Sequence, residues 1–292
     1  MIMTQDEIKS YLKRIGIADI EAPTLPYLIK LHKAHVSRIT WQTIDIFAGQ
    51  PASIDVRESV QLMINGRSGY CFHLNGAFCT LLRSLGYRVS MHRAGVQPLG
   101  ETPRINSFHL GLIVTLENEA NEEEPWIIDA GLGDLPYEPI PLKPGVYAQG
   151  PFTYKVVPSG VAERGWRLEH DPRASFTGVD YAPEVVEDIA VFHPKHEHYS
   201  RSADSPWIGL FLIRNRMANE SNELRGCVWS KQDGGGITKT ELQTKSQWLA
   251  VLDEVFGEHL VRYSDLEKDA LWQKVRQKHE EWLRKKELSQ RD

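Results

Sequence analysis

The stretch that decides the fold of this chain reads Asn65-Gly66-Arg67-Ser68-Gly69-Tyr70-Cys71-Phe72-His73-Leu74-Asn75. A stripe with helical spacing begins at its cysteine and comprises Cys71, Asn75, Phe78, Leu82 and Leu85. Gly86 ends the predicted helix. The pattern therefore places Cys71 at a helix N-terminus, where the helix dipole and free backbone N–H groups favour a thiolate.

Two predicted strands downstream carry the groups that a cysteine nucleophile needs. His109 faces away from the apolar residues that alternate along positions 108–116. Asp129 directly follows an apolar run, and a carboxylate buried there must find a partner. A thiol needs a base, and the base needs a third group that fixes its tautomer. Cys71, His109 and Asp129 are therefore predicted to form a cysteine-protease-like catalytic triad.

The hairpin between the two strands poses a geometric problem for this triad. If the hairpin were symmetric about residues 117–125, Asp129 would lie opposite Leu112 or Ile113 rather than His109. The triad therefore requires a bulge or a tilted register in the hairpin.

Composition restricts the class of protein. The chain has 292 residues, a hydrophobic content of 41% and a net charge of −5, which are typical of a globular protein without broad attraction to nucleic acid or anionic lipid. No apolar run approaches the ~18 residues of a membrane span, and the acidic, polar N-terminus is unlike a signal peptide. Three cysteines argue against a disulfide framework. We therefore expect a cytoplasmic protein with no membrane or nucleic-acid partner.

Periodicity predicts an α+β fold in three regions. Residues 1–90 are predicted to form a helical bundle that carries the nucleophile, residues 91–204 a central antiparallel β-barrel or sheet that carries His109 and Asp129, and residues 205–292 an α/β segment with a C-terminal helical extension. The family resemblance described below implies that the middle region is a barrel and that the last region is an α/β lid. The predicted helices begin after Thr4 and Thr24 and cover residues 56–64, 71–85, 247–256 and 266–288. The predicted strands of the last region cover residues 205–215, 225–231 and 236–241, and residues 193–198 are predicted to form a polar loop.

These residues resemble the arylamine N-acetyltransferase family. The family has an Arg-Gly-Gly-X-Cys-Phe-Glu-X-Asn motif, a histidine on a following strand and an Asp-Val/Ala-Gly-Phe-Gly segment. The corresponding residues are Arg67 to Asn75, His109 and Asp129-Ala130-Gly131-Leu132-Gly133. The resemblance covers about residues 4 to 262.

The resemblance implies ping-pong acyl transfer. Cys71 would take an acetyl group from acetyl-CoA as a cysteinyl thioester and pass it to an arylamine or hydrazine, with His109 as the base and Asp129 orienting it. It also implies that acetyl-CoA is a co-substrate, that no metal takes part, and that small-molecule amines and acyl-CoA are the partners. The residues implied to lie beside CoA or the acceptor are Phe108, Gly131, Leu132 and Gly133.

The chain departs from the family at several positions: Gln42 and His73 replace glutamates, Ser68 replaces a glycine and Leu132 replaces a phenylalanine. Arg67 is therefore expected to lose two acidic neighbours. Leu132 removes an aromatic wall, and Asp134 adds negative charge beside the presumed acceptor site. Cationic or hydrazine-like acceptors are therefore expected to be preferred over anilines.

Other functions remain open. An amide synthase or a cysteine hydrolase would use the same triad with another acyl donor or acceptor. A non-enzymatic alternative is a zinc-binding protein whose ligands are His193, His196 and His198. Zinc binding is the weaker hypothesis, since the segment has no evident second pair of ligands.

Overall fold

The N-terminal helices begin at the capping residues that the sequence indicates. In this computed structural model, which describes residues 1–134 and 136–289, Thr4 and Glu7 form a capping box and Thr24 accepts a hydrogen bond from the next helix. The elements are α1 (Gln5–Arg14), α2 (Leu25–Arg38), β1 (Trp41–Gln42), α3 (Ile44–Phe47), α4 (Val56–Ile64) and α5 (Cys71–Ser84). After α5, Gly86 has a φ of 92°, in the left-handed region that commonly ends helices.

An antiparallel sheet in the middle of the chain wraps around its own core. Its strands are β2 (Arg88–Pro98), β3 (His109–Glu117), β4 (Glu123–Ile128), β5 (Ile140–Pro141), β6 (Gly145–Gln149), β7 (Phe152–Pro158), β8 (Trp166–Glu169) and β9 (Phe176–Val186). They lie in the order β5-β4-β3-β2-β9-β8-β7-β6. Ile113, Phe152 and Tyr181 are among the inward-facing side chains that fill the interior. This is the predicted antiparallel barrel, nearly closed.

The β3–β4 register solves the geometric problem without a bulge. Leu112 pairs with Ile128, and the pairing continues without a shift along the hairpin. Extending this register places Asp129 opposite Gly111 rather than Ile113. Because residues two apart on a strand share a face, Asp129 is then diagonal to His109 on that face. The hairpin thus pairs Glu117 with Glu123 rather than with Pro125, and this change of register, with no bulge between the paired residues, narrows the expected gap.

A second antiparallel sheet has β1 at one edge, followed by β10 (Leu212–Arg216), β11 (Glu220–Arg225), β12 (Val228–Asp233) and β13 (Gly236–Glu241). The helix α6 (His193–Arg201) precedes β10, and α7 (Lys245–Glu254) and α8 (Asp265–Ser289) follow β13. Apolar side chains of α7 and α8, including Trp248 and Leu271, form one core with Ile213 of β10.

Three local predictions for this part of the chain are wrong. Residues 193–198 begin a helix rather than a loop. The strand predicted over residues 205–215 starts only at Leu212, since turns precede it. The strand predicted over residues 225–231 is interrupted by a tight turn in which Gly226 has a φ of 60°. Only its first residue, Arg225, belongs to β11, and residues 228–231 belong to β12.

Two short N-terminal elements connect the helices to the second sheet. Trp41 of β1 pairs with Arg214, and Ile44 and Phe47 of α3 pack into the core of α7 and α8. The division into three regions stays a prediction, and residues 290–292 of its third region lie outside the described residues. None of the helices in the described ranges combines the length and the apolar surface that crossing a bilayer requires.

Candidate active site

Cys71 is the first residue of α5 and is 2% exposed. Its N-cap residue, Tyr70, makes no side-chain capping hydrogen bond. The Cys71 Sγ lies 3.7 Å from the carbonyl oxygen of Phe108, the residue before β3. The nucleophile predicted from sequence therefore lies where the helix meets the strand that carries His109.

His109 and Asp129 form a buried pair. The Nε2 of His109 lies 2.6 Å from Oδ2 of Asp129, and both side chains are fully buried. Because a carboxylate can only accept, the proton of neutral His109 lies on Nε2 and the lone pair on Nδ1. That Nδ1 has no hydrogen-bond partner among the described residues. The geometry leaves this nitrogen available as a base.

The carboxylate of Asp129 accepts hydrogen bonds from several sides. Besides His109, it accepts from the Tyr181 hydroxyl at 2.8 Å, from Asn75 Nδ2 at 2.9 Å and from the Gly131 backbone N–H at 2.9 Å. Burial alone would raise the pKa of Asp129, but its interaction with the His109 imidazole, together with the hydrogen bonds from Asn75 and Gly131, holds this pKa below its usual value. Asp129 is therefore a fixed, ionised partner for the imidazole.

Asn75 is a site residue that the sequence analysis did not assign. Besides Asp129, its Nδ2 donates to the Leu110 carbonyl at 2.6 Å, and its Oδ1 accepts from the Ala130 N–H at 3.0 Å. A Cβ on Gly131 would lie 2.6 Å from Asn75 Nδ2 and 3.0 Å from His109 Cε1. The sequence feature that could have identified Asn75 is its place in the apolar stripe of the predicted helix, because a buried amide needs hydrogen-bond partners.

The resting state of the nucleophile differs from the expectation. Burial raises the pKa of the Cys71 thiol, and the negative charge of Asp129 raises it further, while the N–H groups of Phe72 and Leu110 oppose the rise. The helix N-terminus therefore does not by itself produce a thiolate. Forming one requires that the proton pass to a base at the time of reaction.

The residues predicted to lie beside CoA or the acceptor have different surroundings. Phe108 contacts the ring of Tyr199, with ring centres 3.9 Å apart, and Gly131 lies against His109. Gly133 lies against Arg214 of β10, where any side chain would collide. Leu132 is half-buried and packs against the barrel core.

The family departures are accommodated by substitute partners. Arg67 pairs with Asp45 at 2.7 Å, and the hydroxyl of Tyr263 donates to the same carboxylate at 2.6 Å. Arg67 therefore has an acidic partner in Asp45, although positions 42 and 73 carry no carboxylate. The Gln42 amide, which replaces a glutamate of the family, donates a hydrogen bond to the Ser68 carbonyl at 3.2 Å.

Asp134 is buried between a hydroxyl group and a guanidinium. Its Oδ2 accepts from Ser175 Oγ at 2.7 Å, and its Oδ1 lies 3.8 Å from Arg214 Nη1. All three side chains lie in the seam between the barrel and the second sheet. Arg214 Nε also donates to Glu223 at 2.7 Å, so its one positive charge is shared between two carboxylates. The preference for cationic or hydrazine-like acceptors stays a prediction.

The histidines of the zinc hypothesis point to different partners. His193 Nε2 lies 3.6 Å from an oxygen of Asp55. His196 is buried, with Nδ1 2.5 Å from the Tyr70 hydroxyl. His198 is exposed and packs edge-on against its neighbour Tyr199. The described residues therefore do not bring the three imidazoles together as a ligand set.

Within the described ranges, the atoms of one other group approach the spacing of a metal site. Potential ligand atoms of Cys227, Glu241 and His279 lie within 4.8 Å of one another. Arg276 Nη1 lies 3.8 Å from the same Glu241 oxygen that faces His279. A guanidinium therefore already supplies positive charge at this group.

Comparison with known proteins yields consistent matches. The family model described as N-acetyltransferase matches residues 24–264. Proansamycin X synthase of Amycolatopsis mediterranei is 28% identical over 168 residues, which cover 56% of this chain and 62% of the relative. The arylamine N-acetyltransferase / N-hydroxyarylamine O-acetyltransferase of Salmonella typhimurium is 32% identical over 132 residues, 43% of each chain. The aligned segments thus span less than two thirds of these relatives.

Solved structures share the fold over a greater length. The arylamine N-acetyltransferase of Mycobacterium abscessus superposes with a TM-score of 0.80 at 23% identity, covering 92% of this chain and 94% of the other. The enzyme of Mycobacterium marinum in complex with CoA gives a TM-score of 0.80 at 22% identity, covering 92% and 98%. The predicted α+β architecture is confirmed.

Proposed function

Because the family model matches most of its length, the chain belongs to the N-acetyltransferase family, and from this premise we propose that it transfers an acetyl group from acetyl-CoA to an arylamine or hydrazine through a cysteinyl thioester. The observation that carries the proposal is the buried His109–Asp129 pair. Nδ1 of His109 has no hydrogen-bond partner among the described residues. The residue before His109, Phe108, contacts Cys71 Sγ through its carbonyl oxygen. The M. marinum neighbour in complex with CoA supports the donor.

In the first half-reaction, Cys71 Sγ attacks the thioester carbon of acetyl-CoA while its proton passes to His109 Nδ1. The new S–C bond forms a tetrahedral intermediate, and the C–S bond to CoA then breaks. The departing CoA sulfur takes the proton from His109. Asp129 stabilises the imidazolium through the Nε2 contact.

In the second half-reaction, the amine nitrogen attacks the acetyl carbon of the Cys71 thioester. His109 accepts a proton from the amine, the S–C bond breaks, and the proton returns to the cysteine. The backbone N–H groups of Phe72 and Leu110 face the Cys71 sulfur. They are our candidates for stabilising the oxyanion in both steps.

The proposed binding residues extend from this centre. Phe108, Gly131, Leu132 and Gly133 remain our proposal for the surroundings of the pantetheine arm or the acceptor. The seam that holds Asp134 and Arg214 has a cavity of about 200 Å³. We also propose a cytoplasmic location, which the free state of Cys71, Cys79 and Cys227 supports.

A second candidate function keeps the triad and changes the acyl donor. This candidate is an amide synthase, and the similarity to a relative named as a synthase, Proansamycin X synthase, is the observation that favours it. A cysteine hydrolase would use water in place of the amine.

Intact-protein mass spectrometry after incubation with a panel of acyl-CoA thioesters tests these alternatives. We expect one acetyl group per chain with acetyl-CoA, absent in Cys71→Ser and retained in Cys79→Ser, and removed by added arylamine or hydrazine. Acylation of Cys71→Ser would contradict the assigned nucleophile. Loss of the acetyl group at the same rate without amine would indicate the hydrolase.

A further inference from the structure

The segment of residues 188–207, called here the cap segment, covers the nucleophile. It consists of a 3₁₀ turn (Ile189–Phe192), the helix α6 and the turn residues that follow as far as Trp207. The ring of Phe192 packs 5.1 Å from Phe72, the residue after Cys71. Ile189 lies so close to α5 that a Cβ on Gly76 would meet its side chain at 2.8 Å.

Aromatic rings of the cap segment fill the space next to Cys71. The Tyr199 ring packs on Phe108, whose carbonyl contacts the Cys71 sulfur. Trp207 packs 4.9 Å from Tyr199 and 5.0 Å from Tyr70, measured between ring centres. Tyr199 is only partly buried, so it forms the outer layer over Phe108.

One polar contact fastens the cap segment directly beside the nucleophile. Tyr70, the residue before Cys71, shares a 2.5 Å hydrogen bond with His196 Nδ1. The two rings stack with an interplanar angle of 15°, and His196 is 4% exposed. On the outer face of α6, Glu197 and Arg201 pair with each other in solvent. The inner face of α6 therefore packs against the residue next to Cys71, whereas its outer face is exposed to solvent.

Cys71 as a residue is only 2% exposed, which leaves little room for a thioester carbon beside its sulfur. The covering rings must leave before either substrate binds, because attack requires the reacting atoms about 3–3.5 Å apart. Helix α6 and its flanking turns are the element whose side chains fill that space.

We propose that the cap segment is a lid over Cys71, that the Tyr70–His196 contact is its latch, and that Tyr199 holds the place against Phe108 that the ring of an aromatic acceptor takes when the lid opens. This inference rests on the proposed function for the identity of the acceptor, but not for the movement. Access to Cys71 is then set by the lid, and Tyr199 determines which acceptor rings fit.

Alkylation of Cys71 by iodoacetamide in the folded protein measures the movement without any acyl transfer. We expect Tyr199→Ala to raise the Cys71 labelling rate at least tenfold. We expect His196→Ala to raise it by about 3- to 10-fold, the range for loss of one net hydrogen bond. His198→Ala, an exposed change on the same helix, and Tyr199→Phe, which keeps the ring, should label like the wild type. Equal labelling in Tyr199→Ala and wild type would overturn the lid.

Hydrogen exchange of the wild-type protein guards against variants that fail to fold. Amides of α6 should exchange faster than those of α5 under native conditions, and exchange at equal rates would refute an independently moving lid. Acetylation by acetyl-CoA is measured separately on the same samples. If labelling follows the lid but no acetyl-enzyme forms, the proposed function fails and the lid stands. If the acetyl-enzyme forms but the lid variants label like the wild type, the lid fails and the proposed function stands.

For the acceptor subsite, Tyr199→Ala should lower the KM of bulky arylamines more than that of hydrazine itself. Equal changes for both acceptors would refute the role of Tyr199 in selecting acceptors.

Discussion

Gly131→Ala is expected to disable the proposed triad without replacing any of its three members. The new Cβ would lie 2.6 Å from Asn75 Nδ2, 3.1 Å from Asn75 Cγ and 3.0 Å from His109 Cε1. These atoms are buried, so either the amide or the imidazole must move by several tenths of an ångström. Movement of Asn75 weakens its 2.9 Å bond to Asp129, and movement of His109 misdirects Nδ1.

The magnitude follows from the hydrogen bond that is lost. A hydrogen bond to a charged group contributes about 1.5–3 kcal/mol. Because about 1.36 kcal/mol in the activation free energy changes a rate tenfold, its loss corresponds to a rate reduction of about 10- to 150-fold. We expect this reduction in the rate of acetyl-enzyme formation from acetyl-CoA. The rate is measured by rapid quenching and mass spectrometry of the protein. The fold should survive, because Gly131 needs no left-handed backbone.

Gly160→Ala is the matched control, since a Cβ there meets nothing within 4 Å. It should acylate like the wild type. Refutation would come from a Gly131→Ala protein that acylates within about twofold of the wild type while its circular dichroism is unchanged. The close approach of Gly131 to Asn75 and His109 would then be irrelevant to the chemistry.

Three further predictions concern the nucleophile, its carboxylate and the cap segment. Cys71 should be alkylated before Cys79 and Cys227, because transient opening of the lid exposes it next to a base; equal labelling of all three cysteines in the folded protein would contradict this. Asp129→Ala should slow acylation by several orders of magnitude, by analogy with other triads, and a rate near that of the wild type would remove Asp129 from the triad. Burial lowers the pKa of His196 from 6.5 to about 4, so the closed lid favours the neutral ring. The contribution of His196 to the stability of the closed lid is therefore complete above pH 6.5 and is lost as the pH falls towards 4. Exchange of α6 amides, corrected for intrinsic rates, should therefore accelerate relative to α5 between pH 6.5 and 4.5 in the wild type but not in His196→Phe, and a parallel response of both proteins would assign the effect to other groups. The groups that face His196 or share its helix are Tyr70, His73, Asp55, His193, Glu197 and Arg201.

The three proposed catalytic residues were predictable because each has a local signature. Cys71 begins a helix, His109 lies on an alternating strand, and Asp129 ends an apolar run. Their mutual geometry was less accessible, since a hairpin register that differs by two residues decides which side chains meet. The sequence near the loop does not specify that offset.

The cap segment escaped prediction for a different physical reason. The inner face of α6 carries His196 and Ser200, both buried and polar, so no apolar stripe marks it as a helix. Its burial depends on Tyr70, which is 126 positions away in sequence. Likewise, β9 lies in a part of the chain rich in proline and glycine, and its pairing with β2 involves residues far apart in sequence. Such partners are visible only after folding.

The replacement of the family glutamate by His73 fits this arrangement. Asp45 already neutralises Arg67, so a carboxylate at position 73 would be buried without that cation, which is costly. Burial lowers the pKa of His73 to about 4, so a neutral ring occupies the position instead. It packs edge-on against Tyr70 with ring centres 4.9 Å apart, and it needs Gly69, because a side chain there would meet it at 2.6 Å. The Tyr70 ring is thereby held between His73 and Trp207, with its hydroxyl directed at His196. A motif position that elsewhere in the family carries charge supports, in this chain, the aromatic contact that fastens the cap segment beside Cys71.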